Sequence, residues 1–289
     1  MDLVEFKVEI SPAAVPDADN VLLELEATGW SVLEDVVGQQ AWIVGICPSP
    51  PGAVAAWQEI VPHLAAAGVA LRAGPVQRIL ADADWRDSYK AHFKTSKIGR
   101  LNWVPVWERE TFKVGPGEEV LWLDPGMAFG TGNHETTRLC CERLVDYATH
   151  RGSAGQVIDA GCGSGILALS AASLGFRQVI GFDNDPEAIR ISEENAALNG
   201  MAGRVDFRVA DLVTGLAGCK AGLVLANIQA DVLMRFAGQL CAAVEGELVL
   251  SGILGRELAE VTEVFMRAAK GWQVDSRVLG EWADLKLRR

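Results

Sequence analysis

Residues 3–10, Leu-Val-Glu-Phe-Lys-Val-Glu-Ile, alternate apolar and charged side chains, the period-two pattern of a half-buried strand. Residues 18–29 switch to helical spacing through Val21, Leu22 and Leu25. Two more strands are predicted over 30–37 and 40–47, joined at Gly38-Gln39. A helix over Ala53–Ala67 and a strand near Val69–Arg72 complete the order βαββαβ.

That order predicts a small α+β, ferredoxin-like sheet over residues 1–80, with helices on one face and no cluster of chemistry-bearing residues. The stretch 81–99 follows, in which Trp85, Tyr89, His92 and Phe93 fall at helical spacing and form one aromatic face. Such a face suits core packing or a linker helix that orients two domains. Beyond residue 100 come two apolar runs, Leu101–Trp107 and Val120–Leu123. Strand candidates then recur at 157–160, 178–183, 205–209, 223–226, 247–253 and 272–279, with helical stretches between most of them. This alternation predicts an α/β domain over 100–289, built on a parallel, doubly wound sheet.

Composition narrows the picture. With 289 residues, 49% of them hydrophobic, the chain can fill a real core. Its N-terminal Met1-Asp2-Leu3-Val4-Glu5 lacks the basic and apolar stretches of a secretory signal, and no apolar run is long enough to span a bilayer. The expectation is a soluble, cytoplasmic protein without membrane association. None of Cys47, Cys140, Cys141, Cys162, Cys219 and Cys241 forms a C-x-x-C pair, and His63, His92, His134 and His150 have no ligand spacing. Reduced thiols and no metal site are expected. Charge is uneven: residues 1–80 hold 3 basic and 10 acidic side chains, a net of −7 within an overall −12. That segment repels a nucleic-acid backbone and suits a basic partner.

The candidate chemistry lies in the second half. The strand ending at Ala160 runs into Gly161-Cys-Gly-Ser-Gly165 and then into the apolar helix from Ile166 to Leu174. Glycines there permit a tight turn and close approach of a ligand, and the helix N-terminus offers unpaired amides. A dinucleotide loop would carry glycine where Ile166 stands. Asp183 ends the next strand about 20 residues on, the spacing at which a carboxylate reaches a ribose diol. Asp185 with Pro186 reads as a helix N-cap. Asn227 follows the strand Leu223–Ala226, outside the carboxyl end of the sheet. It reads either as a contact for an amine or cofactor, or as a turn residue capping the next helix. Upstream, Thr136 and Thr137 close the glycine-rich run that starts at Asp124 and can cap a helix or donate to a carboxylate.

The Gly-x-Gly-x-Gly loop resembles the first motif of class I methyltransferases. Taken with further motifs, the chain resembles the PrmA family, the ribosomal protein L-eleven (L11) methyltransferases, over nearly its whole length. The motifs are Asp84-Trp85, Gly99-Arg100-Leu101 with Pro105 and Trp107, Asp124–Thr137, Asp159–Leu167, Asp183 with Asp185-Pro186, Asn195-Ala196 with Asn199-Gly200, Asn227-Ile228, and Ser251–Leu254. The most discriminating are the Phe-Gly-Thr-Gly-x-His-x-Thr-Thr run and the Asn-Ile pair. Met127, Asn133 and Glu135 depart from the family's usual Leu, Thr and Pro.

The resemblance implies a class I, Rossmann-like methyltransferase domain that uses S-adenosyl-L-methionine. Thr137, Gly161, Asp183 and Asn227 fall where the family contacts that cofactor, and Asn227 is the residue expected to place the reacting amine. It further implies trimethylation of lysine ε-amines, with the α-amine as a further target, in a basic ribosomal protein. The N-terminal domain then resembles the family's substrate-recognition domain, and His134 is a candidate for a supporting or substrate contact. Alternatives at this point are a lysine methyltransferase of another protein, a small-molecule methyltransferase, and a non-catalytic ribosome-binding module. A nicotinamide-linked dehydrogenase is disfavoured by Ile166 and by the lack of a paired His or Tyr-Lys centre.

Overall fold

In the computed structural model, the residues described are 3–25, 27, 29–35, 40–80, 94–124 and 135–289. The Gly38-Gln39 turn, the aromatic face of the predicted linker helix, most of the run 124–137 and His134 lie outside them. The chain divides into two compact units, Met1–His92 and Phe93–Arg289.

The first unit follows the βαββαβ order. Strands β1 (Leu3–Ile10), β2 (Trp30–Asp35), β3 (Gln40–Cys47) and β4 (Val76–Leu80) form an antiparallel sheet in the order β2-β3-β1-β4. The alternation predicted along β1 is real: Val4, Phe6, Val8 and Ile10 are buried while Glu5, Lys7 and Glu9 are partly exposed. Helices Val15–Glu24 and Pro50–Ala66 contribute Ala18, Val21, Leu22, Trp57, Ile60 and Leu64 to the same core. Ser49 caps the second of them, accepting a bond from Gly52 N at 3.3 Å, with Pro50 in the first turn.

The fourth strand sits later than the sequence pattern suggests. Residues 69–72 contribute one bridge, between Leu71 and Ile10, and the ladder with β1 forms over Val76–Leu80. Val69 turns inward as part of the core, and Pro75, which has no N–H to give, delays pairing until Val76.

In the second unit, β5 (Ser96–Ile98), β6 (Leu101–Pro105) and β7 (Glu119–Leu123) form a three-stranded sheet. The main sheet contains β8 (Gln156–Ala160), β9 (Gln178–Asp183), β10 (Asp206–Val209), β11 (Ala221–Asn227), β12 (Val244–Leu254), β13 (Gln273–Leu279) and β14 (Trp282–Arg288). Its order is β10-β9-β8-β11-β12-β14-β13. Pairing is parallel from β10 to β12, so the α/β, doubly wound expectation holds there, with winding reversed between β8 and β11.

The last two strands correct that expectation. Strand β14 is absent from the sequence pattern, and both of its pairings are antiparallel. Its alternation is obscured because Ala283, Asp284 and Leu285 are buried in succession, which sets a charged residue inside the core. Gly280, with φ +59°, lies in the turn that joins β13 to β14.

Helix Glu135–Arg151 packs on β12 and β14, burying Thr136, Thr137, Cys140, Cys141, Leu144 and Val145. Helix Ile166–Ser173 is buried on all sides from Ile166 to Ala172, and those residues are apolar apart from Ser170, as suits a helix enclosed in the core. Trp103 Nε1 donates to Ser170 Oγ at 3.0 Å, fastening β6 to that helix. All six cysteines are free, and only Cys219 is more than marginally exposed. Among the described residues, no helix is long and apolar enough to cross a membrane.

Candidate functional site

The reversal of winding between β8 and β11 leaves a crevice at the carboxyl ends of the strands, where open α/β sheets bind ligands. The glycine loop leaves β8 at this point. Gly161 has φ +76°, and a Cβ there would lie 2.4 Å from Ile228 Cγ2, so both backbone conformation and space require glycine. Gly161 N and Cys162 N both donate to Phe182 O, at 2.8 and 3.0 Å, stitching the loop to β9.

Asp183 closes that stitch. Its Oδ2 accepts from Gly163 N at 2.9 Å and its Oδ1 from Asp185 N at 3.1 Å. A carboxylate has about four lone-pair positions, so these two amides orient it and leave acceptor capacity for a diol. Asp185 caps helix Pro186–Leu198 by accepting from Glu187 N at 2.8 Å, as its sequence position suggests.

A cavity of about 430 Å³ opens beside the loop. Gly161, Asp183, Asn184 and Asp211 line it with the apolar side chains of Phe182, Leu212, Ile228, Val232 and Phe236. The volume falls in the range of small-molecule and cofactor sites. An apolar wall for a flat base, with one oriented carboxylate at ribose reach, fits S-adenosylmethionine.

Thr137 and Asn227 meet each other rather than this cavity. Asn227 Nδ2, at the end of β11, donates to Thr137 Oγ1 at 3.3 Å across 90 positions of sequence. The threonine hydroxyl therefore faces an amide instead of a carboxylate. Asn227 does not cap the helix that follows, which starts at Ala230 with Gln229 at its N-cap. Neither residue is among the cavity's lining, but Ile228 is, so the Asn227-Ile228 pair joins the two places. Ser251, paired in register with Asn227, donates from Oγ to Thr136 O at 3.0 Å.

Two acids at the site carry roles that the sequence reading does not assign. Asp159, only 1% exposed, accepts from Ala168 N at 3.0 Å and so holds the first turn of helix Ile166–Ser173. Burial, reinforced by the Asp183 charge, pushes its carboxyl up to about 7, against the pull of the Ala168 bond. Asp211 accepts from Val213 N and Thr214 N at 3.0 and 2.7 Å in a capping box, which holds its carboxyl below the usual range. Its position after β10, at the carboxyl edge of the sheet, is the signal by which sequence could have found it.

Comparison with known proteins shows the family. The family profile described as ribosomal protein L11 methyltransferase (PrmA) matches residues 2–289. A protein of Geobacter sulfurreducens named ribosomal protein L11 methyltransferase is 44% identical over 229 residues, covering 78% of this chain and 73% of that protein. One of the same name from Geobacter metallireducens is 42% identical over 229 residues, covering 77% and 72%. The crystal structure of a ribosomal protein L11 methylase from Lactobacillus delbrueckii subsp. bulgaricus is 31% identical and superposes with a TM-score of 0.60, covering 68% of this chain and 99% of that one. The chain accordingly belongs to the ribosomal protein L11 methyltransferase (PrmA) family, whose members are S-adenosylmethionine-dependent enzymes.

Proposed function

We propose that this chain methylates lysine ε-amines, and an α-amine, of ribosomal protein L11. The names of its relatives support that substrate. The observation that carries the reading is the junction of Gly161, Asp183 and Ile228 at one cavity, next in sequence to the Asn227–Thr137 pair.

When bound, S-adenosylmethionine supplies an electrophilic methyl group on a sulfonium. Asp183 would accept the ribose hydroxyls, and Phe182, Ile228 and Phe236 would enclose the base. Gly161, bare of a side chain, lets Ile228 pack against the loop, and the loop backbone would hold the methionine end. With Nδ2 of Asn227 held by Thr137, Oδ1 is the atom it offers to a substrate N–H.

A free lysine of pKa about 10.4 is only about one part in a thousand neutral at pH 7.4. Desolvation of the ammonium beside a positively charged sulfonium would favour loss of that proton to water, and Asn227 Oδ1 would then accept an N–H of the amine and align its lone pair. We assign no dedicated base. Residues 1–80, with net charge −7, form the recognition domain for a basic protein rather than for nucleic acid.

The test is incubation of the purified chain with isotopically labelled S-adenosylmethionine and L11, followed by peptide mass analysis. Label on L11 lysines is the expected result. Label only on another ribosomal protein replaces the substrate, and label only in a small molecule overturns the reading.

A further inference from the structure

The pair Asn195-Ala196 with Asn199-Gly200 has no part in the chemistry above, yet its side chains reach the glycine loop. Ser192, Asn195 and Asn199 follow one another at intervals of three and four along helix Pro186–Leu198 and its C-cap, and so share a face. Ser192 Oγ donates to Gly163 O at 2.8 Å, and Asn195 Nδ2 donates to Ser164 O at 2.9 Å. These are consecutive carbonyls of the loop whose Gly163 amide is held by Asp183 from the other side.

Asn199 seats the helix that carries them. Its Oδ1 accepts from Trp122 N at 2.7 Å, and its Nδ2 donates to Trp122 O at 2.9 Å and to Asn195 O at 2.9 Å. Strand β7 is an edge of its sheet, and this side-chain amide satisfies both backbone groups of Trp122 as a neighbouring strand would. Arg109 adds a second tie, donating to Leu198 O at 2.9 Å while its guanidinium lies 5.0 Å from the Trp122 ring centroid.

We propose that Ser192 and Asn195 are positioning residues for cofactor binding, and that Asn199 anchors them to β7. They fix the peptide planes on both sides of Ser164, so the loop is shaped before the cofactor arrives. A loop ordered in advance loses less entropy on binding, which raises affinity without touching the ligand. The inference rests on the reading of Gly161–Gly165 as the cofactor loop.

The test is calorimetric titration of the full chain with S-adenosylmethionine, at a temperature well below each variant's own melting point. Asn195→Ala, and more so Ser192→Ala with Asn195→Ala, should raise Kd about tenfold, while kcat at saturating cofactor stays near the parent. Asn199→Ala should raise Kd by a smaller factor. Asn195→Asp, equal in size but unable to donate, serves if the alanine variant fails to fold. A purely structural role would lower the melting temperature and leave Kd of the folded protein unchanged, which would overturn the proposal. Asp183→Ala separates the two claims: if it too leaves Kd unchanged, the reading of the loop itself fails.

Discussion

Arg143 and Asp284, 141 positions apart, meet as a two-pronged pair: Nε lies 2.9 Å from Oδ2 and Nη2 lies 2.8 Å from Oδ1. Arg143 is 6% exposed and Asp284 is fully buried. Arg277 also donates to Asp284, and Asp275 also accepts from Arg143, so each charge has more than one partner. The cluster ties the helix that carries Thr137 to the hairpin of β13 and β14. Asp284→Ala should cost roughly 3–5 kcal/mol, because it removes two of the three carboxylate bonds of a buried guanidinium and leaves it only Asp275. Urea denaturation measures this, and a change below about 1 kcal/mol would mean that water and the Asp275 bond already present suffice to hold Arg143.

Asp183→Ala should weaken S-adenosylmethionine binding by about 1.5–3 kcal/mol for each charge-assisted hydrogen bond lost. Asp183→Asn should fall between that variant and the parent, since an amide retains one acceptor for Gly163 N or for the ribose. Nicotinamide dinucleotides should not bind. Calorimetry on the three proteins checks the order, and equal affinities would place the ribose elsewhere.

Much of this site is legible in the sequence, where its parts are local. Glycines after an apolar run, an acid at a strand end and an Asp-Pro cap each declare themselves within a few residues: the structure has Gly161 in the loop after β8, Asp183 at the end of β9 and Asp185 at a helix N-cap. What stays hidden depends on partners distant in sequence. The roles of Asn195 and Asn199 need Ser164 and Trp122, and β14 escapes the pattern because Asp284 is polar at a core position that Arg143 and Arg277 make tolerable. The pattern misplaces β4 because Val69 is apolar for the sake of the core, not of a strand.

The pH dependence of stability should carry a signature of Asp159. Its folded carboxyl holds a proton up to about 7, while the unfolded chain releases it near the ordinary value of 3.8. Between those values the folded state binds more protons than the unfolded state, so this group makes stability fall as pH rises through the window. Asp159→Asn keeps an acceptor for Ala168 N and removes the ionisation. Denaturation at about pH 5 and about pH 8 should show a flatter profile for the variant than for the parent. Parallel profiles would show that Asp159 is ionised in the folded protein.

Asn227→Ala should slow methyl transfer with little loss of stability, because the side chain's one described bond, to Thr137 Oγ1, is long at 3.3 Å. Cofactor affinity and turnover, measured separately, divide its two proposed roles. A fall in turnover alone supports placement of the amine, and a fall in affinity alone supports a cofactor contact. Parent-like values of both would remove Asn227 from the site.

The acidic N-terminal segment makes the last prediction, because its −7 net charge over residues 1–80 is a long-range attraction that salt can weaken. A basic protein substrate should be steered toward it, so the second-order rate of methylation should fall as ionic strength rises. Cofactor affinity, which we propose rests on Asp183 and the apolar cavity of the second unit, should change less over the same range. Deleting residues 1–80 should abolish methylation of the protein substrate and leave S-adenosylmethionine binding largely intact, since none of the cavity's lining residues belongs to that segment. A truncated chain that folds and methylates at the parent rate would refute the recognition role. One that folds but no longer binds the cofactor would refute the division of labour between the two parts of the chain.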